Sequence, residues 1–521
     1  MGVEEVVELT FYGGVNEIGG NKVLLKSQHG AIFFDFGLSY KQENEYFEEF
    51  LQPRTNSKFY DLEKLGLLPK LNGIYRQDVF CPEGLTNACT PTPDFWQSGL
   101  ICYEEACKNN AWHPDAVFIS HAHADHCGYL PFLGDIPVYC SEKSQKLMKA
   151  ISQIGNLDGY DSELTAYEYR KIRQLGNTAY FPGSHEIDKE EPRERTFKIL
   201  SSGIRFNIAS NLDITGFDVG HSIPGSMCCL VEADDKQILY TGDIRFHGRN
   251  KPDLASLDGL KPDIMITEGT RIDERVPDDE DKVEQRLCDL IEHTKGLVMI
   301  GFAWKDLERY ETVKKAAQNS GRIPVFDSRV AYLLARLGTN IYNEDASVFV
   351  ERTDSMLYSP ADYVNKKHSL GLIDEDEWSK KDPRTVDTTH LEKGVKASEI
   401  HDEPEKYVLH LHYLRFKNLL DIEPPSGSVY VRAQCEPFDP KMEISETRMI
   451  NWLRHFRINE HNNFEPYQIH ASGHASGKEL QKFIEKIKPK RLIPIHTIKP
   501  KLFYNKTGDV FIPDLDSPMT L

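Results

Sequence analysis

The 521-residue sequence predicts an α/β protein, with layered mixed sheets early and late in the chain and a parallel-sheet βαβα unit inserted between them. Three observations predict it. Short apolar strands recur with helical segments between them up to about residue 267. From Leu297 the order becomes strand, helix, strand, helix, which calls for a parallel sheet. Metal-ligand side chains stand where apolar strands end and a loop can face an ion.

At this length about two to three globular units are expected. Hydrophobic residues make up 40% and charged residues 27%, and no run of eighteen apolar residues is present. The start MGVEEVVELTF lacks the charged, apolar and small-residue regions of a secretion signal, so a chain that neither spans a membrane nor is secreted is expected. Ten cysteines without a repeating spacing suit free thiols in a reducing compartment, which points to the cytoplasm. A net charge of −19 argues against a surface coated to grip nucleic acid. Its distribution is uneven, with Lys478, Lys482, Lys486, Lys488, Lys490, Arg491, Lys499, Lys501 and Lys506 set against Glu479 and Glu485. Beside catalytic motifs, that stretch is expected to line a substrate cleft and touch backbone phosphates.

Along the chain, Val7, Leu9 and Phe11 alternate with Glu8 and Thr10, turns follow at Gly13-Gly14 and Gly19-Gly20, and strands resume at Lys22 to Lys26 and Ala31 to Phe34, a meander ending at Asp35. Residues 40–110 are irregular and read as an insertion over the surface, with Cys81, Cys89, Cys102 and Cys107 as free thiols because their spacing is not that of a zinc finger. Strands are expected at Ala116 to Ile119, Ile136 to Tyr139, Gly203 to Ile208, Ser226 to Glu232, Gln237 to Tyr240 and Asp263 to Thr267. Pro277 to Asp281 reads as an acidic linker. Strand Leu297 to Ala303, helix Asp306 to Ser320, strand Ile323 to Phe326 and helix Arg329 to Leu337 follow, and a polar segment, about 351–405, precedes strand Ser428 to Ala433. These breaks divide the chain into residues 1–275, with the insertion at about 40–110, then 276–440, then 441–521.

His121, His123, Asp125 and His126 place four metal ligands in six residues directly after the apolar strand Ala116 to Ile119. Three imidazoles and a carboxylate suit zinc, and four ligands on one turn serve two adjacent ions better than one. His221 in DVGHSIPGS and Asp243 in LYTGDIRF stand at later strand ends and complete a set in which Asp243 can bridge the ions. Further on, Ser476 and Glu479 form a capping box ahead of the apolar stripe Leu480, Phe483, Ile484 and Ile487. A helix start there, next to Ser472, Gly473 and Ala475, would be an anion site with His474 beside it.

The order Asp35, His121 to His126, His221, Asp243 resembles the metallo-β-lactamase superfamily, whose fold is an αββα sandwich. Glu268 in IMITEGT, His474 in IHASGHASG and His496 in RLIPIHT resemble the further motifs of its β-CASP branch of nucleases, in which a domain is inserted between the carboxylate and the first histidine. A histidine in the last motif is a feature of the RNA-processing branches, and the overall likeness is to ribonuclease J and related ribonucleases. Where those enzymes carry a Ser-Asn pair and a Gly-Arg-Ser run around a 5′-monophosphate, this chain reads Phe302-Ala303-Trp304-Lys305 and Phe326-Asp327-Ser328-Arg329.

The resemblance implies a zinc-dependent ribonuclease that leaves 5′-phosphate and 3′-hydroxyl ends on single-stranded RNA. Two Zn²⁺ per chain are expected, with Mn²⁺ an alternative: His121, His123 and His221 on one ion, Asp125, His126 and His496 on the other, Asp243 between them, and Asp35 orienting a histidine from behind. His474, held by Glu268, would protonate the leaving oxygen, with Asp125 and Asp243 also at the reaction centre. A DNA nuclease of repair or defence and a small-molecule metallo-hydrolase stay open as alternatives, and a homodimer is compatible with the sequence.

Overall fold

A computed structural model describes residues 7–80, 96, 98–154, 163–174, 185–189, 191–249, 251–274, 279–352, 358–359, 361–364, 393–435, 440–505 and 508–521. The first sheet has seven strands, in the spatial order Phe197–Leu200, Val138–Ser141, Ala116–Phe118, Ala31–Phe34, Lys22–Lys26, Glu8–Gly13 and Met519–Thr520. The expected meander forms its antiparallel part, and Ala31–Phe34 pairs in parallel with Ala116–Phe118, with Phe34 opposite Phe118. That register brings Asp35, one residue past its strand, beside Ser120 and the histidine run. A second sheet of six strands runs Arg205–Ala209, Leu212–Asp218, Met227–Ala233, Lys236–Tyr240, Ile264–Thr267 and Arg491–Pro494.

Strand alternation sorts side chains between two faces. Leu9, Phe11, Val23, Leu25, Ile32 and Phe34 meet Ile214, Val231, Ile238, Tyr240 and Ile266 in the core between the sheets. Leu24, Phe33 and Val117 face the other way, toward a layer that includes Leu147, Met148 and Ile151 of helix Glu142–Ile154. On the far side, Leu480, Phe483, Ile484 and Ile487 of helix Gly477–Ile487 cover Leu239, Met265 and Leu492. Helix, sheet, sheet and helix are thus stacked in an αββα sandwich.

The third sheet is parallel throughout, in the order Val395–Lys396, Ser347–Val350, Ile323–Phe326, Tyr407–His410, Val298–Gly301, Val429–Arg432 and Tyr467–Gln468. It is the inserted unit, and it reaches past the expected boundary at residue 440. Met449 and Leu453 of helix Pro440–His455 belong to its core, and Tyr467–Gln468 is its edge strand, so the chain returns to the sandwich only after residue 468.

Two other expectations are corrected. The acidic stretch is the start of a helix, because Asp279 caps Glu280–His293 and its acidic first turn complements the amino-terminal end of the dipole. Pro277 and Asp278 lie outside the described residues. Residues 40–110 are more than a surface cover. Phe59 and Leu62 of helix Lys58–Lys64, together with Leu68 and Tyr75, are buried against the first sheet's outer face. Cys102 and Cys107 are free thiols, while Cys81 and Cys89 lie outside the described residues, as does most of 351–405. Among the described residues no helix is long and apolar enough to cross a membrane.

Candidate metal centre

Six loops converge where the sandwich strands end. His121, His123, Asp125 and His126 follow Ala116–Phe118, His221 follows Leu212–Asp218, Asp243 follows Lys236–Tyr240, and His496 follows Arg491–Pro494. Glu268 follows Ile264–Thr267, and His474 follows the strand that leaves the third sheet. The ligand-type atoms gather into a group of His121, His123, His221 and Asp243 and a group of Asp125, His126 and His496, each within 4.8 Å. Asp243 stands between the groups, its Oδ2 at 3.6 Å from both His121 Nε2 and His221 Nε2 and 3.3 Å from His126 Nε2, its Oδ1 at 3.5 Å from His496 Nε2.

The tautomers of His121, His126, His221 and His496 are set from behind. Asp35 accepts from His126 Nδ1 at 2.7 Å, Gly473 O from His221 Nδ1 at 2.7 Å, and Thr270 Oγ1 from His496 Nδ1 at 2.9 Å. His121 Nδ1 is 3.0 Å from Ser120 Oγ. The opposite nitrogens therefore turn lone pairs inward. His123 presents Nδ1, 3.0 Å from His121 Nε2 and 3.1 Å from His221 Nε2. Three such nitrogens at this spacing repel unless a proton or a cation lies among them. Burial holds His121 and His221 well below the usual imidazole range and His123 at about 3, which disfavours the proton. His126 Nε2 and Asp243 Oδ1 are buried with no hydrogen-bond partner. These donors fit divalent cations of the zinc type, three imidazoles in one group and two imidazoles with a carboxylate in the other.

Asp35 holds other groups besides His126. Its carboxylate also accepts from Ser120 N at 2.7 Å, Ser120 Oγ at 2.8 Å and Tyr240 Oη at 2.5 Å. Asp35 and His496 both adopt left-handed backbone, φ 57° and 51°, a strain held in place by these contacts. A Cβ on Gly37 would lie 1.7 Å from Asp125 O, so only glycine lets the loop after Asp35 pack on the histidine run. Asp35→Asn keeps the shape but weakens the hold on His126. We expect zinc affinity to fall by about 10- to 100-fold in a chelator competition, with the fold intact by circular dichroism.

Glu268 is fixed by two backbone amides, Ile244 N to Oε1 at 3.1 Å and Thr270 N to Oε2 at 3.1 Å. Both oxygens lie 3.2 Å from His474 Nδ1, so that nitrogen donates to the carboxylate. Burial works against a charged His474, but Glu268 and Asp243 outweigh it and raise the imidazole to about 9. His474 also lies with Asp243 and His496 in a third possible ligand group.

The expected anion site at the helix start is not formed. Ala475 N donates to Ile244 O at 2.7 Å, Ser476 N to Glu479 Oε2 at 2.9 Å, and Gly477 N to Arg271 O and Glu274 O. Ala475 and Ser476 are fully buried, so the capping box is there but its amides are spent inside the protein. Gly473 serves through its carbonyl to His221, and Ser472 Oγ accepts from His474 N at 3.1 Å. Sequence reasoning missed Ser120, Tyr240, Thr270, Arg245 and Arg271. Ser120 and Tyr240 sit inside or beside motifs that were read, yet their roles depend on partners far along the chain.

Residues 104–283 match the family described as Metallo-beta-lactamase superfamily, and residues 463–502 match the Zn-dependent metallo-hydrolase RNA specificity domain. The sandwich has the metallo-β-lactamase fold. With a parallel-sheet domain inserted between Glu268 and His474, the chain has the β-CASP architecture and is a metal-dependent hydrolase. It is 26% identical to "Probable RNase MJ4" of Methanocaldococcus jannaschii, over 73% of this chain and 81% of that protein. "Ribonuclease J" of Pyrococcus abyssi is 21% identical over 95% of this chain and 90% of its own length. "Transcription termination factor FttA" of Pyrococcus horikoshii is 22% identical over 94% of this chain, which spans 66% of that relative. A solved structure of a protein of unknown function from Enterococcus faecalis V583 superposes with TM-score 0.65 at 20% identity, over 99% of this chain and 100% of that one, and shares the fold.

Proposed function

We propose that this protein is a two-zinc ribonuclease that hydrolyses phosphodiester bonds of single-stranded RNA and leaves 5′-phosphate and 3′-hydroxyl ends. The observation that carries the proposal is Asp243 placed between two ligand groups, with the Glu268–His474 pair beside it. Bound there, zinc ions would neutralise phosphate charge and lower the pKa of a water toward about 7. His121, His123 and His221 would hold one ion, Asp125, His126 and His496 the other, and Asp243 both. Glu268 accepts the hydrogen bond of His474 Nδ1–H, which leaves Nε2–H to hand its proton to the 3′ oxygen as it departs. The names of the relatives and the matched RNA specificity domain support RNA as substrate.

The test is to incubate zinc-loaded protein with end-labelled single-stranded RNA and DNA of one sequence. Cleavage of RNA, with products that a ligase joins only through a 5′-phosphate, is expected. Cleavage of DNA alone would replace this proposal with a DNA nuclease.

The basic stretch is not where the RNA should lie. Helix Gly477–Ile487 starts at the His474 loop and runs about 16 Å away from it. Lys486 pairs with Asp258 at 3.3 Å, Lys490 with Asp263 at 2.6 Å, Arg491 with Asp509 at 2.9 Å and Lys499 with Asp273 at 2.5 Å. Lys506 lies outside the described residues. Replacing Lys482, Lys486 and Lys488 together with Gln should leave RNA affinity within about twofold and the salt slope unchanged in a filter-binding titration. A slope flattened by about 0.7 per lysine would put the strand back on this helix.

A further inference from the structure

We propose that Arg245 is a positioning residue for His474, and that its pairing with Glu308 makes the inserted domain part of the device that aims this histidine; the proposal rests on the ribonuclease reading above. The segment that returns from the third sheet to the sandwich ends in His474, and its backbone is held by its carbonyls. Ala471 O accepts from Arg309 Nη2 at 3.2 Å, Ser472 O from Arg245 Nη1 at 3.2 Å and from His247 Nε2 at 2.9 Å. Gly473 O accepts from His221 Nδ1 at 2.7 Å, and His474 O from Arg271 Nη1 at 3.4 Å. Four consecutive carbonyls thus take donors from different parts of the chain.

Arg245 ties the most elements together. It lies two residues after Asp243, and its backbone N donates to Gly220 O at 2.8 Å, beside His221. Its guanidinium is buried, with one nitrogen on Ser472 O and the other on the carboxylate of Glu308. Glu308 belongs to helix Leu307–Asn319 of the inserted domain, and it also accepts from Arg249 N at 3.3 Å. A Cβ on Gly248 would lie 2.8 Å from Glu308 Oε2 and 3.3 Å from the Arg245 guanidinium, so the pair is packed as well as bonded. A planar fork can hold two acceptors in fixed directions, which a single ammonium cannot do. The backbone on which His474 stands is therefore located by the metal-ligand loops on one side and by the inserted domain on the other. Proton transfer is sensitive to such placement, where about 1 Å of displacement costs about 10²-fold in rate.

The experiment compares wild type, Arg245→Lys, Glu308→Ala and His474→Ala as full-length, zinc-loaded protein. Two substrates are used: RNA, and bis(p-nitrophenyl) phosphate, whose leaving group departs without a proton. Arg245→Lys and Glu308→Ala should lower kcat on RNA by about 10- to 100-fold with KM within about twofold, and leave metal content and activated-diester cleavage at the wild-type level. In the His474→Ala background neither should cost more. In ¹⁵N-histidine spectra the His474 ring signals, identified by their loss in His474→Ala, should move in both variants. Equal loss on both substrates, loss of zinc, or His474 signals that stay in place would overturn the proposal. Should Arg245→Lys fail to fold, Glu308→Ala, which changes only the inserted domain's side of the pair, decides the matter. If the wild type cleaves the activated diester but not RNA, the ribonuclease reading fails, and the spectra alone decide whether Arg245 positions His474.

Discussion

Asp243→Ala is expected to abolish cleavage, with a loss of about 10⁴-fold or more, and to reduce bound zinc from about two ions to one or none. The carboxylate lies within 3.3–3.6 Å of ring nitrogens from both ligand groups. Without it, Asp125 is the carboxylate left in the two ligand groups to balance two dications, so ligand loss and charge imbalance act together. Asp243 is held well below the usual carboxylate range; burial opposes this, and His126, His496 and His474 impose it. Elemental analysis and thermal melting check the outcome. In the wild type, zinc at 100 times its Kd adds about 2.7 kcal/mol of stability, which a chelator removes, and Asp243→Ala should lose most of that response. A variant that keeps two zincs and the full chelator-sensitive step would take Asp243 out of the bridging position.

Much of the sandwich was legible because its strands alternate in one stretch of sequence. Leu9 and Phe11 mark one face by alternation, while Val23 to Leu25 and Ala31 to Phe34 are apolar runs buried on both faces, with Val23, Leu25, Ile32 and Phe34 on the one between the sheets. The helix Glu280–His293 was harder, since Asp279, Glu280 and Asp281 look like a solvated linker, and what makes them a helix start is burial of Val283, Leu287 and Ile291 behind them. Helix Lys58–Lys64 is seven residues long, too short to persist alone, and is kept by Phe59 and Leu62 in the core, which no local pattern announces.

The ligand side chains were legible because metal chemistry needs particular residue types, and these stand at strand ends. What holds them was not. Ser120 and Tyr240 act through Asp35, and Thr270 acts through His496, 226 positions away, so neither role can be read from spacing. The helix start at Ser476 shows the limit from the other side. Its capping box was read correctly, but whether amides remain for a phosphate depends on Ile244, Arg271 and Glu274, which arrive from elsewhere in the fold.

His474→Ala should separate metal binding from catalysis, with both zincs retained and RNA cleavage lowered by about 10² to 10⁴. The ring is oriented by Glu268, itself fixed through Ile244 N and Thr270 N, so the histidine does not depend on an ion for its place. Its Nδ1 lies 3.8 Å from Asp243 Oδ2, farther than the ring nitrogens of His121, His126 and His221 from that oxygen, which fits a residue that works beside the metals. Glu268→Gln extends the argument. An amide in place of the carboxylate can still accept from Nδ1 but no longer stabilises the imidazolium, so RNA cleavage should fall by a smaller factor, about 10- to 100-fold. The activated diester should be spared in both variants, because its leaving group needs no proton. Loss of one zinc in His474→Ala would make this residue a ligand in the group it forms with Asp243 and His496, and the proton would then have to come from another donor.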